Sequence, residues 1–433
     1  MNKVILILYT TQYRKGGQKF RRVAETMAAE KTSANPDVIC SAVESKAAIT
    51  AILKNLKDDN KQIDELHFIG HSGMYGPMFG TTAFPEQFSP YEIRHLDIPF
   101  APKASAYFHC CRSARWFAPY FSRHQKVKTF GYHWYTTFSS RRDRYRFPNP
   151  VSNTSSMYCF GCPGKKSHGY IATLKKLLGL MKAEPLKAFN EVDEVIDSTY
   201  NQVADLYAQT FTDIKVRRDE INWLKKHLST TKVKVLDIGC GNGALLKEIQ
   251  GLISEGVGVD VSSNLLTHAK VLNEPLKHIS FQQIQGPTLP FETDSFDLVI
   301  SMLSFRYLDW DPIMLEIERV LKQDGKLLVI DMVTAPVKWN EMILLLKSKV
   351  NHYLNRMRNP LFYKHLKTLV EHPKWAKMLH HNPIRSQHEM KWYLESRFPK
   401  RKIEIINIGM HSRILAFDSI DMKNIKNINL SYP

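Results

Sequence analysis

Short apolar runs alternate with helical patterns along the first 135 residues. The runs "KVILILYT", "DVICSAV", "ELHFIGHSG", "ASAYFHCC" and "VKTFGYH" have the length and residue types of strands. The intervening segments "FRRVAETMAAE", "AAITAILKNL" and "ARWFAPYFSR" have a helical period. Strands that alternate with helices form βαβ units around a parallel sheet covered on both faces. The pattern therefore predicts a doubly wound α/β domain over residues 1–166.

A second series of the same kind follows. The segment "GYIATLKKLLGLMKA" predicts a helical linker over residues 167–190. The strands "KVKVLDIG", "GVGVDV", "HISFQQI", "FDLVISML" and "GKLLVIDMV" then recur with helices between them, and "RKIEIINIG" and "SRILAFDSI" close the series. We predict a second doubly wound domain over residues 191–433, with a helical, basic insertion at 338–385.

Composition limits the class of protein. Hydrophobic residues make up 43% of the 433 residues and charged residues 24%, which suits a globular chain of two domains. No apolar run reaches the roughly 18 residues that a membrane-spanning helix needs, and the N-terminal run lacks a cleavage site. We expect a cytoplasmic protein with no membrane partner. The CxxC formed by Cys159 and Cys162 has no second pair, so we expect no metal.

The net charge of +18 is uneven along the chain. Residues 1–185 carry 27 Lys and Arg against 13 Asp and Glu, residues 186–335 carry 15 against 22, and residues 336–433 carry 18 against 7. Two basic blocks therefore flank an acidic one. A basic block can bind nucleic acid, which leaves an RNA-directed function open as a less favoured alternative.

The strongest local signal is "VLDIGCGNGALLKEI", an apolar strand that runs through Asp237 into Gly239, Gly241 and Gly243 and then into a helix. Glycines at this spacing allow a tight turn and a close approach of the backbone to a ligand. Such a turn also suits a dinucleotide. Asp260 ends the next strand, where a carboxylate can accept hydrogen bonds from ribose hydroxyls. An anion at Asp237 would repel a pyrophosphate but suits a cationic ligand.

Two further segments, "TLPFETDSFDLVISML" and "EIERVLKQDGKLLVIDMV", complete a resemblance over residues 195–335. The region resembles the class I methyltransferases of the small-molecule type (type 11), including those of biotin, quinone and polyketide pathways. The resemblance implies S-adenosyl-L-methionine as cofactor and a Rossmann-like fold. It implies that the cofactor meets Tyr207, Asp237, Gly239, Gly241, Gly243, Asp260, Val261, Leu265, Gln285, Ser301, Met302 and Leu303.

One position departs from the family pattern. Gln285 stands where the family usually has an acid that meets the adenine amino group. A glutamine carbonyl can still accept that hydrogen bond. The resemblance therefore assigns Gln285 to the adenine.

The methyl acceptor is less defined. The segment "SMLSFRYLDWD" lacks the Asn/Asp-Pro-Pro-aromatic motif that grips a base, and no Pro-Cys nucleophile is present, so DNA methylation is disfavoured. The basic insertion at 338–385 lies where related enzymes build a lid over the acceptor. A positive lid favours a small acidic or carrier-bound acceptor. Four histidines in this region are candidate bases, but no pattern selects a catalytic one among His352, His365, His380 and His381.

Two strand ends in the first domain carry reactive residues. His71 follows one predicted strand and Cys111 follows the next, and this order resembles that of caspase-like cysteine peptidases. The resemblance implies a hydrolytic pair of His71 and Cys111. Ser72 in "GHSGM" offers a rival nucleophile, and a flavodoxin-like domain without activity is a third interpretation. We expect either a methyltransferase with an accessory first domain or a hydrolase fused to a methyltransferase.

Overall fold

The computed structural model describes residues 2–33, 37–145, 156–162, 170–190, 199–229 and 231–420. The chain divides into two compact units, residues 1–194 and 195–430. The second unit thus begins four residues beyond the predicted boundary at 191. Each unit contains its own sheet and its own hydrophobic core.

A six-stranded sheet forms the centre of the first unit. Its strands are β1 (Asn2–Tyr9), β2 (Val38–Ala42), β3 (Lys61–Ile69), β4 (Phe100–His109), β5 (Lys128–Gly131) and β6 (Lys187–Phe189). Their order is β2-β1-β3-β4-β5-β6, and only β6 is antiparallel to its neighbour. The first five strands follow the flavodoxin-like order, in which ligand sites lie at the carboxyl ends of the strands.

Helices cover both faces of this sheet. They are α1 (Gly17–Thr32), α2 (Lys46–Asp58), α3 (Pro90–His95) and α4 (Phe117–Gln125). A fifth helix, α5 (Tyr170–Leu177), has no buried residue. Alternate residues of β1 pack on opposite faces of the sheet. Ile5 and Ile7 belong to the hydrophobic cluster that contains residues of α1, and Val4 and Leu6 belong to the one that contains residues of α2. Burial on both faces explains why β1 is a continuous apolar run rather than an alternating one.

The segment 167–190 differs from the predicted helical linker. It contains α5, but its end forms β6, which pairs with β5 at the edge of the first sheet. A three-residue edge strand is held by backbone hydrogen bonds to one neighbour, and so short a strand leaves no periodic side-chain pattern. Four short antiparallel pairs complete the described part of this unit: 72–73 with 76–77, 79–80 with 85–86, 136–139 with 158–161, and 144–145 with 181–182.

The second unit is built on a seven-stranded sheet. Its strands are β7 (Val233–Ile238), β8 (Ile253–Asp260), β9 (Ile279–Gln283), β10 (Phe296–Met302), β11 (Leu321–Thr334), β12 (Glu404–Ile408) and β13 (Ser412–Asp418). The order is β9-β8-β7-β10-β11-β13-β12, with β13 antiparallel to both of its neighbours. The order reverses between β7 and β8 on one side and β10 on the other, which creates a ligand-binding crevice at the end of β7.

Nine helices are described in this unit. They are α6 (Ala204–Thr210), α7 (Arg218–His227), α8 (Ala244–Ile249), α9 (Ser263–Asn273), α10 (Trp310–Val320), α11 (Met342–Arg358), α12 (Pro360–Glu371), α13 (Pro373–His381) and α14 (Gln387–Arg397). The insertion between β11 and β12 is therefore helical. Within the described ranges, no helix is both long and apolar enough to cross a bilayer.

Candidate active site

The glycine-rich turn connects β7 to α8 through three residues in the left-handed region. Gly239, Gly241 and Gly243 have φ angles of +74°, +56° and +73°. A Cβ at Gly239 would lie 2.3 Å from the Cβ of Ser304, and one at Gly243 would lie 2.6 Å from the Phe281 ring. Both positions therefore need glycine for backbone conformation and for space.

Gly239→Ala is expected to destabilise the protein by roughly 2 kcal/mol or more, because the left-handed conformation and the clash with Ser304 add together. The midpoint of urea unfolding measures this loss. Gly251→Ala is the matched control, since Gly251 has an ordinary φ and a Cβ there would meet no atom within 4 Å. Equal stability of the two variants would contradict the packing at the turn.

Asp260 connects the end of β8 to this turn. Its Oδ2 accepts a hydrogen bond from the Gly241 N–H at 2.9 Å, and its Oδ1 accepts one from the Ser262 N–H at 2.9 Å. Burial raises the pKa of Asp260, and the backbone hydrogen bonds oppose that rise. Each carboxylate oxygen retains a second lone pair, so a diol can still bind here.

Asp237 is a buried carboxyl that lacks a partner in the described part of the chain. Its exposure is 2%, and none of the hydrogen bonds or ion pairs among the described residues includes its side chain. Burial, with a further contribution from Asp260, raises the pKa of Asp237 to about 8. A buried, unpaired acid of this kind stabilises a bound cation. The ammonium and sulfonium groups of S-adenosylmethionine are such cations, so this residue fits that cofactor.

Tyr207 lies over the turn. A Cβ built on Gly241 would lie 3.5 Å from the Tyr207 ring, and the side chain is half-buried. Tyr207 belongs to α6, so a helix outside the sheet covers the turn. The contact of Tyr207 with a bound cofactor stays a prediction.

The other predicted cofactor residues take different positions around the crevice. Val261 is 43% exposed directly after β8, whereas Leu265 is buried in the first turn of α9. Gln285 is exposed and has no hydrogen-bond partner among the described residues. Its proposed contact with adenine therefore stays a prediction.

The end of β10, where the resemblance places the floor of the cofactor site, lies beside the glycine turn. The hydroxyl of Ser301 donates to the Ile238 carbonyl at 3.3 Å and lies 2.7 Å from the Ser304 hydroxyl. Met302 is buried, and Leu303 has a positive φ of +61°. A leucine in this conformation is strained, and such strain is found where a chain is held close to a ligand.

Sequence reasoning missed two polar residues that hold the crevice together. The hydroxyl of Ser304 donates to the Ile238 carbonyl at 2.6 Å and so fixes the chain after β10 against the glycine turn. Asn201 accepts hydrogen bonds from the Ser262 hydroxyl at 2.7 Å and from the Asn264 N–H at 3.2 Å. It thereby attaches the segment before α6 to the N-terminus of α9.

A buried ion pair was also missed. Arg306 and Asp331 form a salt bridge in which both side chains are buried, and the Arg306 N–H donates to the Asp331 Oδ2 at 2.6 Å. The Arg306 Nε is buried and has no partner within the described part of the chain. The sequence signals only that Asp331 needs a buried partner, because it is an acid inside the apolar strand "LLVIDMV", and it does not identify Arg306 as that partner.

Aromatic rings join this ion pair to the insertion. The Tyr200 hydroxyl donates to the Tyr307 hydroxyl at 3.3 Å, and the Tyr200 ring lies 5.3 Å from Tyr207 and 5.8 Å from Trp375 of α13. Phe362 of α12 packs in the same cluster. Helices α12 and α13 therefore contact the segment that covers the glycine turn.

The basic side chains of the insertion point elsewhere. Lys347, Lys349, Arg356 and Arg358 on α11 are exposed to solvent. Aromatic rings, rather than lysines and arginines, face the segment over the turn. The positive charge of α11 is thus a property of its outer surface, whereas Arg385 at the end of the insertion is buried and its Nε donates to the Arg306 carbonyl at 3.2 Å.

The two residues of the expected hydrolytic pair lie at the carboxyl end of the first sheet but are bonded to other groups. The His71 Nε2 lies 2.9 Å from the Lys15 carbonyl, and burial lowers the pKa of His71. The Cys111 Sγ lies 3.3 Å from the Thr136 hydroxyl. Among the described residues no hydrogen bond joins His71 to Cys111. Comparison with known proteins gives the caspase-like resemblance no support.

The second unit has the strand order, glycine turn and acidic residues of a Rossmann-like methyltransferase. Residues 236–329 match a family model described as a methyltransferase domain. The second unit therefore carries an S-adenosylmethionine-dependent methyltransferase domain. The match begins within β7 and ends within β11, and it includes Asp237, Asp260 and all three glycines of the turn.

Curated relatives agree with this assignment. The chain is 31% identical over 168 residues to the methyltransferase YcgJ of Bacillus subtilis, which covers 38% of this chain and 62% of that protein. It is 30% identical to a demethylmenaquinone methyltransferase of Lactococcus lactis, over 32% of this chain and 59% of that protein. The chain thus spans about three fifths of the length of these relatives.

A solved structure of a methyltransferase from Aquifex aeolicus is also similar. It has 15% sequence identity and a TM-score of 0.34, and the alignment covers 52% of this chain and all of that one.

Proposed function

We propose that the whole protein transfers a methyl group from S-adenosylmethionine to a small molecule. The unpaired, buried Asp237 carboxyl carries this proposal, because a cationic ligand gives it the partner that the described residues do not. Asp260 at the end of β8 adds a site for a ribose diol. A dinucleotide would bring its negative pyrophosphate against Asp237 and is disfavoured.

When bound, S-adenosylmethionine supplies an electrophilic methyl group on a sulfonium. The protein's own contribution is to bind and orient the two reactants and to exclude water. Asp237 would hold the cationic end, Asp260 would accept hydrogen bonds from the ribose, and Tyr207 would close the turn. Much of the rate in such a displacement comes from holding the reacting atoms close together in a dry site.

We propose a flat, ring-bearing acceptor. The aromatic cluster of Tyr200, Tyr207, Tyr307 and Trp375 supports this class, since aromatic side chains pack well on other rings. The similar demethylmenaquinone methyltransferase of Lactococcus lactis is named for a ring-bearing substrate. An acceptor with an ionisable hydroxyl on its ring would lose that proton as the methyl group is added.

An acidic or carrier-bound acceptor is the second candidate. The buried Arg306 Nε favours it, because an anionic group would give that donor a partner. The charge of Arg306 is already paired with Asp331, which weakens the attraction. The exposed lysines and arginines of α11 contribute little to this site.

Transfer of a labelled methyl group from S-adenosylmethionine tests the proposal. Pools of phenols and hydroquinones, of carboxylic acids and of acyl thioesters serve as acceptors, with Asp260→Ala as the inactive control. Labelling in the phenol and hydroquinone pool supports a ring-bearing acceptor, and labelling confined to the acids or thioesters overturns that choice. If none of the pools is labelled while RNA is, the small-molecule assignment is wrong.

We propose that the first unit is an accessory module. The bonding of His71 to the Lys15 carbonyl, rather than to Cys111, disfavours the hydrolase alternative. Cys111→Ala is expected to leave methyl transfer within about twofold of wild type, because the second unit carries its own core. Hydrolysis of a peptide or ester library by wild type, lost in Cys111→Ala, would instead establish the two-activity protein.

A further inference from the structure

Helix α11, the 3-10 turn before it and the first turn of α12 expose a row of apolar side chains. Within α11 the members of the row are spaced three or four residues apart and so lie on one face of the helix. Its first members, Trp339 and Ile343, are 93% and 80% exposed. We call this row the apolar stripe, and its members are Trp339, Ile343, Leu346, Val350, Tyr353, Met357 and Leu361.

The opposite face attaches the helix to the unit. Leu345 is buried, and the Ser348 hydroxyl lies 3.1 Å from the Asn407 side-chain oxygen of β12. At about 100° per residue, both residues lie on the side away from the apolar stripe. The stripe is therefore left open on an anchored helix, and its exposed fraction exceeds half at every member.

Cations flank the stripe on both sides. Lys347 and Arg358 lie beside one edge, and Lys349 and Arg356 lie beyond the other, at about 100° per residue. Residues 342–370 contain six Lys and Arg and no Asp or Glu. An apolar stripe bordered by cations is the pattern of a helix that lies in the surface of an anionic membrane.

We propose that the apolar stripe docks on an anionic lipid bilayer, with α11 parallel to the surface. The apolar side chains enter the boundary between headgroups and acyl chains, and the flanking lysines and arginines meet the anionic headgroups. A second copy of the chain is a poorer occupant, because its α11 would bring the same cations together. This surface binding needs no spanning helix, and it departs from the sequence expectation of no membrane partner. It does not rest on the proposed methyl transfer.

Co-sedimentation of the full chain with vesicles tests the proposal. Wild type is expected to bind vesicles that contain phosphatidylglycerol and to bind phosphatidylcholine alone more weakly. Ile343→Glu is expected to lower the partition coefficient about tenfold, since it removes an apolar anchor and adds an anion. Val271→Glu is the matched control, because Val271 is a 74% exposed aliphatic residue of α9 outside the stripe.

The paired substitution Lys347→Glu and Lys349→Glu provides a second variant that leaves the apolar side chains intact. It is expected to lower binding to anionic vesicles and to weaken the dependence of that binding on salt. Calorimetric titration of S-adenosylmethionine confirms that each variant is folded. Ile343→Glu partition equal to wild type overturns the proposal. So does a wild-type dimer that Ile343→Glu dissociates, because a second copy would then cover the stripe.

Discussion

Asp260→Ala is expected to lower the affinity for S-adenosylmethionine by about a hundredfold, because a carboxylate that accepts from both ribose hydroxyls makes two charge-assisted hydrogen bonds. The substitution also removes the acceptor of the Gly241 N–H, so the turn loses one of its supports. Isothermal titration calorimetry with S-adenosylmethionine and S-adenosylhomocysteine measures the loss. The two ligands are expected to lose similar amounts, since they share the ribose.

Asp324→Ala is the control for this measurement. Asp324 is an exposed acid within the long strand β11, and its removal changes the net charge by the same amount. Wild-type affinity in Asp324→Ala together with the loss in Asp260→Ala assigns the loss to the Asp260 carboxylate rather than to the change of net charge. Unchanged affinity in Asp260→Ala would contradict a ribose at the end of β8. Binding of NAD in place of S-adenosylmethionine would contradict the cofactor itself.

Most of the second unit could be predicted because each of its parts leaves a local pattern. The strand that ends at Asp237 is followed by three glycines, and the structure places all three in the left-handed conformation. The Rossmann-like sheet of the methyltransferase is confirmed. The central parallel strands β7 and β10 are largely buried and therefore mostly apolar, so they could be recognised from their sequence alone.

The polar residues that support the crevice could not be found in the same way. Arg306 and Asp331 are 25 residues apart, and their pairing depends on β10 and β11 being neighbours in the sheet. Asn201 reaches Ser262 across 61 residues. Such contacts depend on the order of the strands in the sheet. They have no characteristic spacing in the sequence from which they could be predicted.

Exposure was the second quantity that the sequence could not supply. The sequence of the insertion contains basic, aromatic and aliphatic residues together. From the sequence we predicted that its basic residues face the methyl acceptor. In the structure, Phe362 and Trp375 face the turn-covering segment while the lysines of α11 face solvent. The neighbouring surface decides which side of a helix is packed. The same sequence is therefore compatible with lysines that face the acceptor and with lysines that face solvent.

The Asp237 carboxyl should affect stability and binding in opposite directions. Its pKa is about 8 in the folded protein, against about 3.9 in an unfolded chain. Between these values the unfolded chain loses the proton and the folded chain keeps it, so this group lowers the free energy of unfolding as pH rises. Asn carries no such proton. Asp237→Asn is therefore expected to be more stable than wild type at neutral pH without ligand, and the difference should vanish near pH 4.

The affinity for S-adenosylmethionine should change with pH in the opposite direction from the stability. A cation beside Asp237 favours the carboxylate, so wild type is expected to release a proton on binding S-adenosylmethionine and to bind more tightly as pH rises towards about 8. Asp237→Asn is expected to lose about a hundredfold in affinity and the proton release with it. Urea unfolding at several pH values and calorimetry in two buffers of different ionisation enthalpy measure both effects, with Asp324→Asn as control. A variant that binds like wild type would mean that another group holds the cationic end of the cofactor. A variant less stable than wild type would mean that the carboxyl already has a partner in the free protein.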